Sequence, residues 1–311
     1  MMSNDLGVGV AHGKIILIGE HAVVYGIPAL ALPLSELKIK VQIQPAVKHT
    51  IVHSTYFSGA LNEAPAPLHN LQVIKDSFMN SELKQSVHLN ITITSDLPNE
   101  RGMGSSAAVA TAFVRALYDY FDLPLSEESL DDYVMLSEKI IHGNPSGLDA
   151  LIVKNDTPYL FKKGAFAQRI PLHLTGYLVI ADSGQEGQTK AAIASVAEFK
   201  KQHPQQFSEQ LETFEELIAS ATAAIKKEEL KILGQTMNMA QELLDQWTVS
   251  NDMLDQLVKA ALKAGALGAK LTGGGRGGCM IALAATAETA QQIAQALKDA
   301  GAAATWIHSF Q

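Results

Sequence analysis

Gly102-Met103-Gly104-Ser105-Ser106-Ala107-Ala108 is the stretch on which the reading of the fold turns. Its glycines let backbone N–H groups approach an anion, and the alanine-rich run that follows, from about Ser105 to Phe121, has the composition of a helix. Ser105 and Ser106 then stand at a helix N-terminus, where outward-pointing N–H groups and the helix dipole favour a phosphate, and where hydroxyls can ligate a metal. Taken alone, the segment favours an anion site, with an ordinary serine-capped helix as the lesser alternative. It fits G-x-G-x-x-A, but it follows the turn cluster Asp96-Leu97-Pro98-Asn99 instead of a tight strand-to-helix turn, which argues against a dinucleotide fold. Gly273 to Gly278 fits G-x-G-x-x-G yet leads into a strand, so no helix terminus awaits a pyrophosphate. The Walker pattern is absent, because Gly13-Lys14 is followed by Ile15.

Around this segment, strand and helix signals alternate. Ile15 to Ile18 has the composition of a buried strand. Ile39, Val41 and Ile43 alternate with polar residues, as do Val87, Leu89, Ile91 and Ile93, which predicts two half-exposed strands. A helix is expected over Leu68 to Leu83 and another over Ser126 to Ile141, with a capping-competent start at Ser126. Tyr159 to Ile170 suggests a short hairpin, and the domain boundary is expected near Pro171, giving domains 1–171 and 172–311. Beyond it, Pro204 to Lys263 predicts three helices. The chain then closes with strand (Ala269–Thr272), glycine loop, strand (Met280–Ala284), helix (Ala287–Ala300) and strand (Thr305–Phe310). Lys226-Lys227-Glu228-Glu229 is expected on a solvated helix surface.

Composition narrows the function. The chain has 311 residues, 47% hydrophobic and 18% charged, a globular balance with enough apolar material for two cores. Its net charge of −8 speaks against an electrostatic grip on nucleic acid or anionic membrane, so any bound anion must be held by local groups. No apolar run is long enough to span a membrane and no secretory signal pattern opens the chain, so a soluble, cytoplasmic protein is expected. One cysteine, Cys279, excludes an internal disulfide and a thiolate metal cluster, and its place after a glycine loop suggests a small buried hydrophobe. His49 and His53 have no evident third ligand, which makes a zinc site improbable.

Four segments, in order along the chain, resemble the motifs of the GHMP kinases, in the form found in the branch that acts on mevalonate. Gly13-Lys14-Ile15-Ile16-Leu17-Ile18-Gly19-Glu20-His21-Ala22-Val23-Val24-Tyr25-Gly26 is similar to the family's amino-terminal motif. Gly102 to Ala108 is similar to its central phosphate loop, and Leu271-Thr272-Gly273-Gly274-Gly275-Arg276-Gly277-Gly278-Cys279 to its third motif. His142-Gly143-Asn144-Pro145-Ser146-Gly147-Leu148-Asp149 resembles the stretch carrying the catalytic aspartate. The resemblance implies a two-domain α+β fold with the active site in the inter-domain cleft. It further implies transfer of the γ-phosphoryl of ATP to a primary hydroxyl, here the 5-hydroxyl of mevalonate.

Phosphoryl transfer asks for positioning and charge neutralisation more than covalent chemistry. By resemblance, Asp149 accepts or orients the hydroxyl proton, and Lys14 is the cation that keeps it ionised. Asn144-Pro145 is a good cap and first-turn pair, which would put Asp149 in the second turn of a helix. Arg101, Gly102, Met103, Gly104, Ser105 and Ser106 are the ATP-binding candidates. Ser106 and Glu138 match the family's magnesium ligands, although spacing alone would leave Glu138 on a solvated helix surface. Glu20, His21, Thr189 and Gly274 are the substrate-side candidates, with the imidazole of His21 able to donate to a carboxylate. On spacing alone, His21 is as readily a turn histidine.

Glu100 and Arg101 replace the glycine and alanine of many relatives. A carboxylate at Glu100 disfavours nearby phosphate unless it points away, while Arg101 is able to contact it. Arg276 is a second departure, expected to change nucleotide affinity modestly. Other small-molecule kinases of the family, acting on phosphomevalonate, homoserine or galactose, are the alternatives. An ATP-binding sensor without activity is the rival from another class, though it would be expected to lack Asp149, Lys14 or Glu138. The sequence leaves the oligomeric state open, a homodimer included.

Overall fold

The computed structural model describes residues 4–98, 101–143, 145–172 and 174–310; Asn99, Glu100 and Asn144 of the sequence reading lie outside them. The chain separates into two compact units that are not contiguous in sequence. One comprises Met1–Gly13, Leu34–Leu97 and Gly104–Asp156, the other Lys14–Pro33, Pro98–Met103 and Thr157–Gln311. Strands β1 (Gly7–Ile18) and β2 (Ala29–Pro45) each contribute residues to both.

The first unit adds β3 (Ile51–His53), β4 (Ser58–Ala60), α1 (Ala66–Phe78), β5 (Leu89–Ser95), α2 (Ser105–Tyr120), α3 (Glu127–His142) and α4 (Leu148–Ile152). Within it β2 pairs antiparallel with β5, β5 parallel with β3, and β3 antiparallel with β4. The expected alternation sets the register. Val41 faces Ile93 and Ile43 faces Ile91, all four buried, while Lys40 and Gln44 are exposed, and a slip by one residue would send every apolar side chain to water. Helix α1 runs into a single π turn, Met79–Leu83, so the helical signal that continued to Leu83 is accounted for. Five of the eleven buried residues of α2 are alanine, and small residues let β1 come close: a Cβ on Gly9 would lie 1.9 Å from the carbonyl oxygen of Ala112. Phe78, Tyr118, Phe121 and Tyr133 interlock α1, α2 and α3 through edge and tilted ring contacts. The Ser126 hydroxyl caps α3, accepting from Ser129 N at 3.1 Å.

In the second unit β6 (Tyr159–Lys162) and β7 (Phe166–Arg169) form the expected hairpin, and β6 pairs with Ala29–Ala31 of β2. There follow β8 (Tyr177–Asp182), α5 (Thr189–Gln202), α6 (Pro204–Lys226), α7 (Leu230–Gln246), α8 (Asp252–Lys263), β9 (Gly268–Thr272), β10 (Cys279–Ala284), α9 (Ala287–Asp299) and β11 (Ala304–Ser309). The four strands form an antiparallel sheet in the order β11-β8-β10-β9. Every residue of β9 and β10 is buried. Helix α7 packs on β9 at backbone distance, since a Cβ on Gly268 would sit 2.1 Å from the Gly234 carbonyl oxygen. Trp247 stacks between Phe207 and Phe214 and donates its ring N–H to Gln210 Oε1 at 2.7 Å.

One expectation needs correcting here. Lys226 ends α6, and Lys227, Glu228 and Glu229 form the reversal into α7, with Glu228 at φ 60°. The charges are exposed as expected, but they line a turn instead of a helix face. Cys279 opens β10 fully buried, and burial raises its thiol well above the ordinary range, so it packs as a small hydrophobe.

Candidate active site

In the first unit, α2 begins at Ser105 with Gly104 as its N-cap, at φ 73° and without a side-chain cap. The left-handed cap suits glycine. Amides of the first helical turn have no partner within a helix, and the first turn of α2 carries no acidic residue, so the dipole's positive end is left for an anion. Ser106 Oγ donates to Glu138 Oε1 at 2.8 Å. Glu138, on α3, is 4% exposed, where helical spacing alone would have left it on a solvated surface.

Asp149 sits at the second residue of α4, half-buried. The cap of this helix is Gly147 at φ 88°, and Ser146 Oγ accepts from Leu148 N at 3.2 Å. The helix therefore starts later than the Asn144-Pro145 signal implied, and Asp149 lies in its first turn instead of its second. A glycine able to adopt positive φ, with a serine turn ahead of it, outweighs the proline signal.

In the second unit, Lys14 is buried and grips the Gly102–Met103 segment at two points: its backbone N donates to Met103 O at 2.9 Å and its Nζ to Gly102 O at 3.2 Å. The two glycine segments also meet. A Cβ on Gly102 would lie 3.5 Å from Gly273 Cα, and one on Gly278 2.9 Å from Arg101 O. Gly102 at φ 77° and Gly278 at φ 76° hold the left-handed conformation that favours glycine, and at Gly278 the close backbone leaves no room for a Cβ as well. Arg101, expected to meet phosphate, donates from Nε to Asp182 Oδ1 at 2.9 Å, an acceptor shared with Gly184 N. Arg276, at φ 52°, donates from Nε to Thr248 O at 3.1 Å.

The four substrate-side candidates all lie in the second unit and are linked by contacts. Ala22 N donates to Glu20 O at 2.7 Å across His21, whose φ of 60° and ψ of −44° mark the rarer, strained form of γ-turn. Glu20 is 1% exposed and pairs with Lys270, a fully buried lysine of β9 whose Nζ donates to Glu20 Oε1 and also to Leu271 O at 2.6 Å. Burial raises the pKa of Glu20 above the ordinary carboxylate value, opposed by the charges of Lys270 and, more weakly, Lys14. Burial lowers His21 to about 4, against a backbone hydrogen bond at Gly274, so its imidazole is neutral at physiological pH. Gly274 in turn abuts Thr189, the first residue of α5: a Cβ there would be 2.0 Å from Thr189 Oγ1. Among the described residues, Glu20 Oε2 and His21 Nε2 are buried with no hydrogen-bond partner.

Sequence reasoning missed Lys270, Asp182 and Thr272. Thr272 Oγ1 donates to Ile16 O at 2.8 Å and accepts from Ile16 N at 3.1 Å, fixing β9 on β1. Lys270 offered one weak signal, a lysine inside the apolar run Ala269 to Thr272.

Residues 71–154 match the GHMP kinases N terminal domain and residues 221–303 the GHMP kinases C terminal domain. The chain belongs to the GHMP kinase family and is a kinase with ATP as co-substrate. Relatives similar to it along nearly the full length include mevalonate kinases. That of Pyrococcus furiosus is 32% identical over 94% of this chain and 92% of its own. The crystal structure of L. major mevalonate kinase in complex with R-mevalonate superposes with a TM-score of 0.85 at 29% identity, covering 99% of both chains. That of mevalonate kinase from methicillin-resistant Staphylococcus aureus MRSA252 gives 0.74 at 34% identity over 99% of both chains.

Proposed function

We propose that this chain transfers the γ-phosphoryl of ATP to the 5-hydroxyl of mevalonate, giving 5-phosphomevalonate and ADP. The observation that carries the reading is identity of about one third with mevalonate kinases along nearly the whole of both chains. Chain order supports 1–171 and 172–311 as the amino- and carboxy-terminal kinase domains, each holding one of the matched segments.

In this reading the amides at the start of α2 and the hydroxyls of Ser105 and Ser106 hold the nucleotide phosphates, with Gly102, Met103 and Gly104 shaping the approach and Arg101 bracing it. The substrate oxygen attacks the γ-phosphorus, the bond from that phosphorus to the β,γ-bridging oxygen breaks, the oxygen leaves on ADP with the electron pair, and the hydroxyl proton passes to Asp149. Lys14 offsets the negative charge that develops. Glu20, His21, Thr189 and Gly274 form the acceptor pocket. A carboxylate is acceptor-only, so Glu20 takes a hydroxyl, while the neutral His21 ring donates to the substrate carboxylate.

Magnesium fits the oxygen pair of Ser106 and Glu138, 2.8 Å apart, because this ion favours one or two protein oxygens completed by phosphates and water. Bound there, it would neutralise charge on the β- and γ-phosphates. We further place the enzyme in the cytoplasm; among the described residues no helix is long and apolar enough to cross a membrane. A homodimer is the assembly to look for by light scattering.

The test is ADP release with magnesium and ATP against mevalonate, phosphomevalonate, homoserine and galactose in parallel. Turnover on mevalonate alone is expected. Preference for another acceptor would discard the pocket assignment while keeping the phosphate site, and inactivity on all four with ATP still bound would favour the sensor.

A further inference from the structure

Lys270 is the residue of the second unit whose burial the fold alone does not explain. It lies on β9 with no exposed surface, and a lysine is almost never enclosed unless it is paired. Its partner Glu20 is equally enclosed, yet only one of the two carboxylate oxygens is used: Oε1 accepts from Lys270, while Oε2 has no partner among the described residues. A carboxylate present merely to neutralise a buried lysine would be expected to have both oxygens satisfied, and a buried polar atom without a partner calls for an explanation. The adjacent His21 Nε2 is in the same condition, on a residue held in a strained turn. The pair is also rigidly registered. Thr272, two residues along β9, is bonded to both the N–H and the C=O of Ile16 on β1.

We propose that Lys270 is a positioning residue for the acceptor substrate: it consumes Oε1 of Glu20 and holds the carboxylate so that Oε2 is the free acceptor for a substrate hydroxyl. The inference rests on the pocket reading given above for Glu20. Without Lys270, Glu20 would face burial with only the more distant charge of Lys14 beside it, would take up a proton, and would turn from an acceptor into a donor. Lys270 itself reaches no substrate in this scheme. It acts through Glu20.

The experiment compares wild type, E20Q, K270M and the double variant E20Q/K270M, measuring KM for mevalonate, KM for ATP and kcat at neutral pH, with Tm in parallel. K270M is expected to raise the mevalonate KM by about tenfold or more, the scale of removing one partner of a buried charge pair, with the ATP KM changed less than about twofold. E20Q should do the same, and the double variant should be no worse than E20Q, since one interaction cannot be lost twice. K270M leaves the buried Glu20 carboxyl without its partner and is expected to lose Tm, part of which the double variant regains because no buried ionisable group remains at the pair. If K270M does not fold, the comparison of E20Q with the double variant carries the test. K270M with an unchanged mevalonate KM, equal losses on both substrates, or effects that multiply in the double variant would each overturn the role of Lys270. An E20Q enzyme with a normal mevalonate KM would overturn the pocket reading itself.

Discussion

Asp149 shows what can be read at the scale of one residue. Its identity was visible in the motif, but its place in the first turn of α4 was not, because Gly147 and Ser146 set the helix start by backbone conformation that composition only hints at. Asp149→Asn is expected to lower kcat by about two to four orders of magnitude with ATP binding little changed, the range for a general acid–base group. Near-normal turnover in that variant would remove Asp149 from the reaction. His21 gives a prediction about stability. Its folded pKa of about 4 lies below the ordinary 6.5, so the unfolded chain binds a proton that the folded one excludes. Its contribution is therefore complete above about pH 6.5 and is lost as pH falls towards 4. Tm measured across that window should fall less steeply for His21→Gln than for wild type, and parallel curves would refute the assignment. Lys270 gave only a weak signal because a lone lysine in a strand is ordinarily solvated; the enclosure of β9 by α7, α8 and β10 shows otherwise.

At the scale of elements, composition and capping signals located α2 and α3 within a residue, the hairpin within a residue, and the outer limits of the three central helices. β3 and β4, three residues each, were missed, being too short to show a period. So were β8, a continuous buried run, and α5, whose exposed face is long and whose buried residues are few. The start of α2 carries the functional prediction at this scale. Ser106 is both a first-turn residue and the donor to Glu138, so Ser106→Ala removes an oxygen from the proposed magnesium site while leaving a good helix former in place. The KM for magnesium–ATP should rise several-fold more than that for mevalonate. An effect confined to mevalonate would contradict the metal role, and a matching Glu138→Gln defect would support it.

For the whole molecule, the order of the four motifs was enough to give the family, whereas the compact units cut across that order. The change of composition near Pro171 marks where the helix-rich half begins, but the second unit also takes Lys14–Pro33 and Pro98–Met103 from the first half. Composition could not show this, since a strand that leaves one unit for another keeps the same apolar character throughout. The consequence is testable with fragments. A chain of residues 172–311 would lack Ile15, Leu17 and Ile18, each fully buried in the intact protein, and Thr272 would lose both bonds to Ile16. It would also hold Lys270 without Glu20, a buried cation stripped of its partner, which is costly in itself. Such a fragment is expected to show helical circular dichroism without a cooperative urea transition, because the helices retain their local propensity while β9 has lost its bonds to Ile16 and the ion pair with Glu20. Supplying residues 1–171 in trans should restore cooperativity if the missing segments are the cause. A fragment that melts cooperatively alone would show that residues 14–33 are dispensable to the second unit, and that the cut at Pro171 separates two bodies able to fold independently.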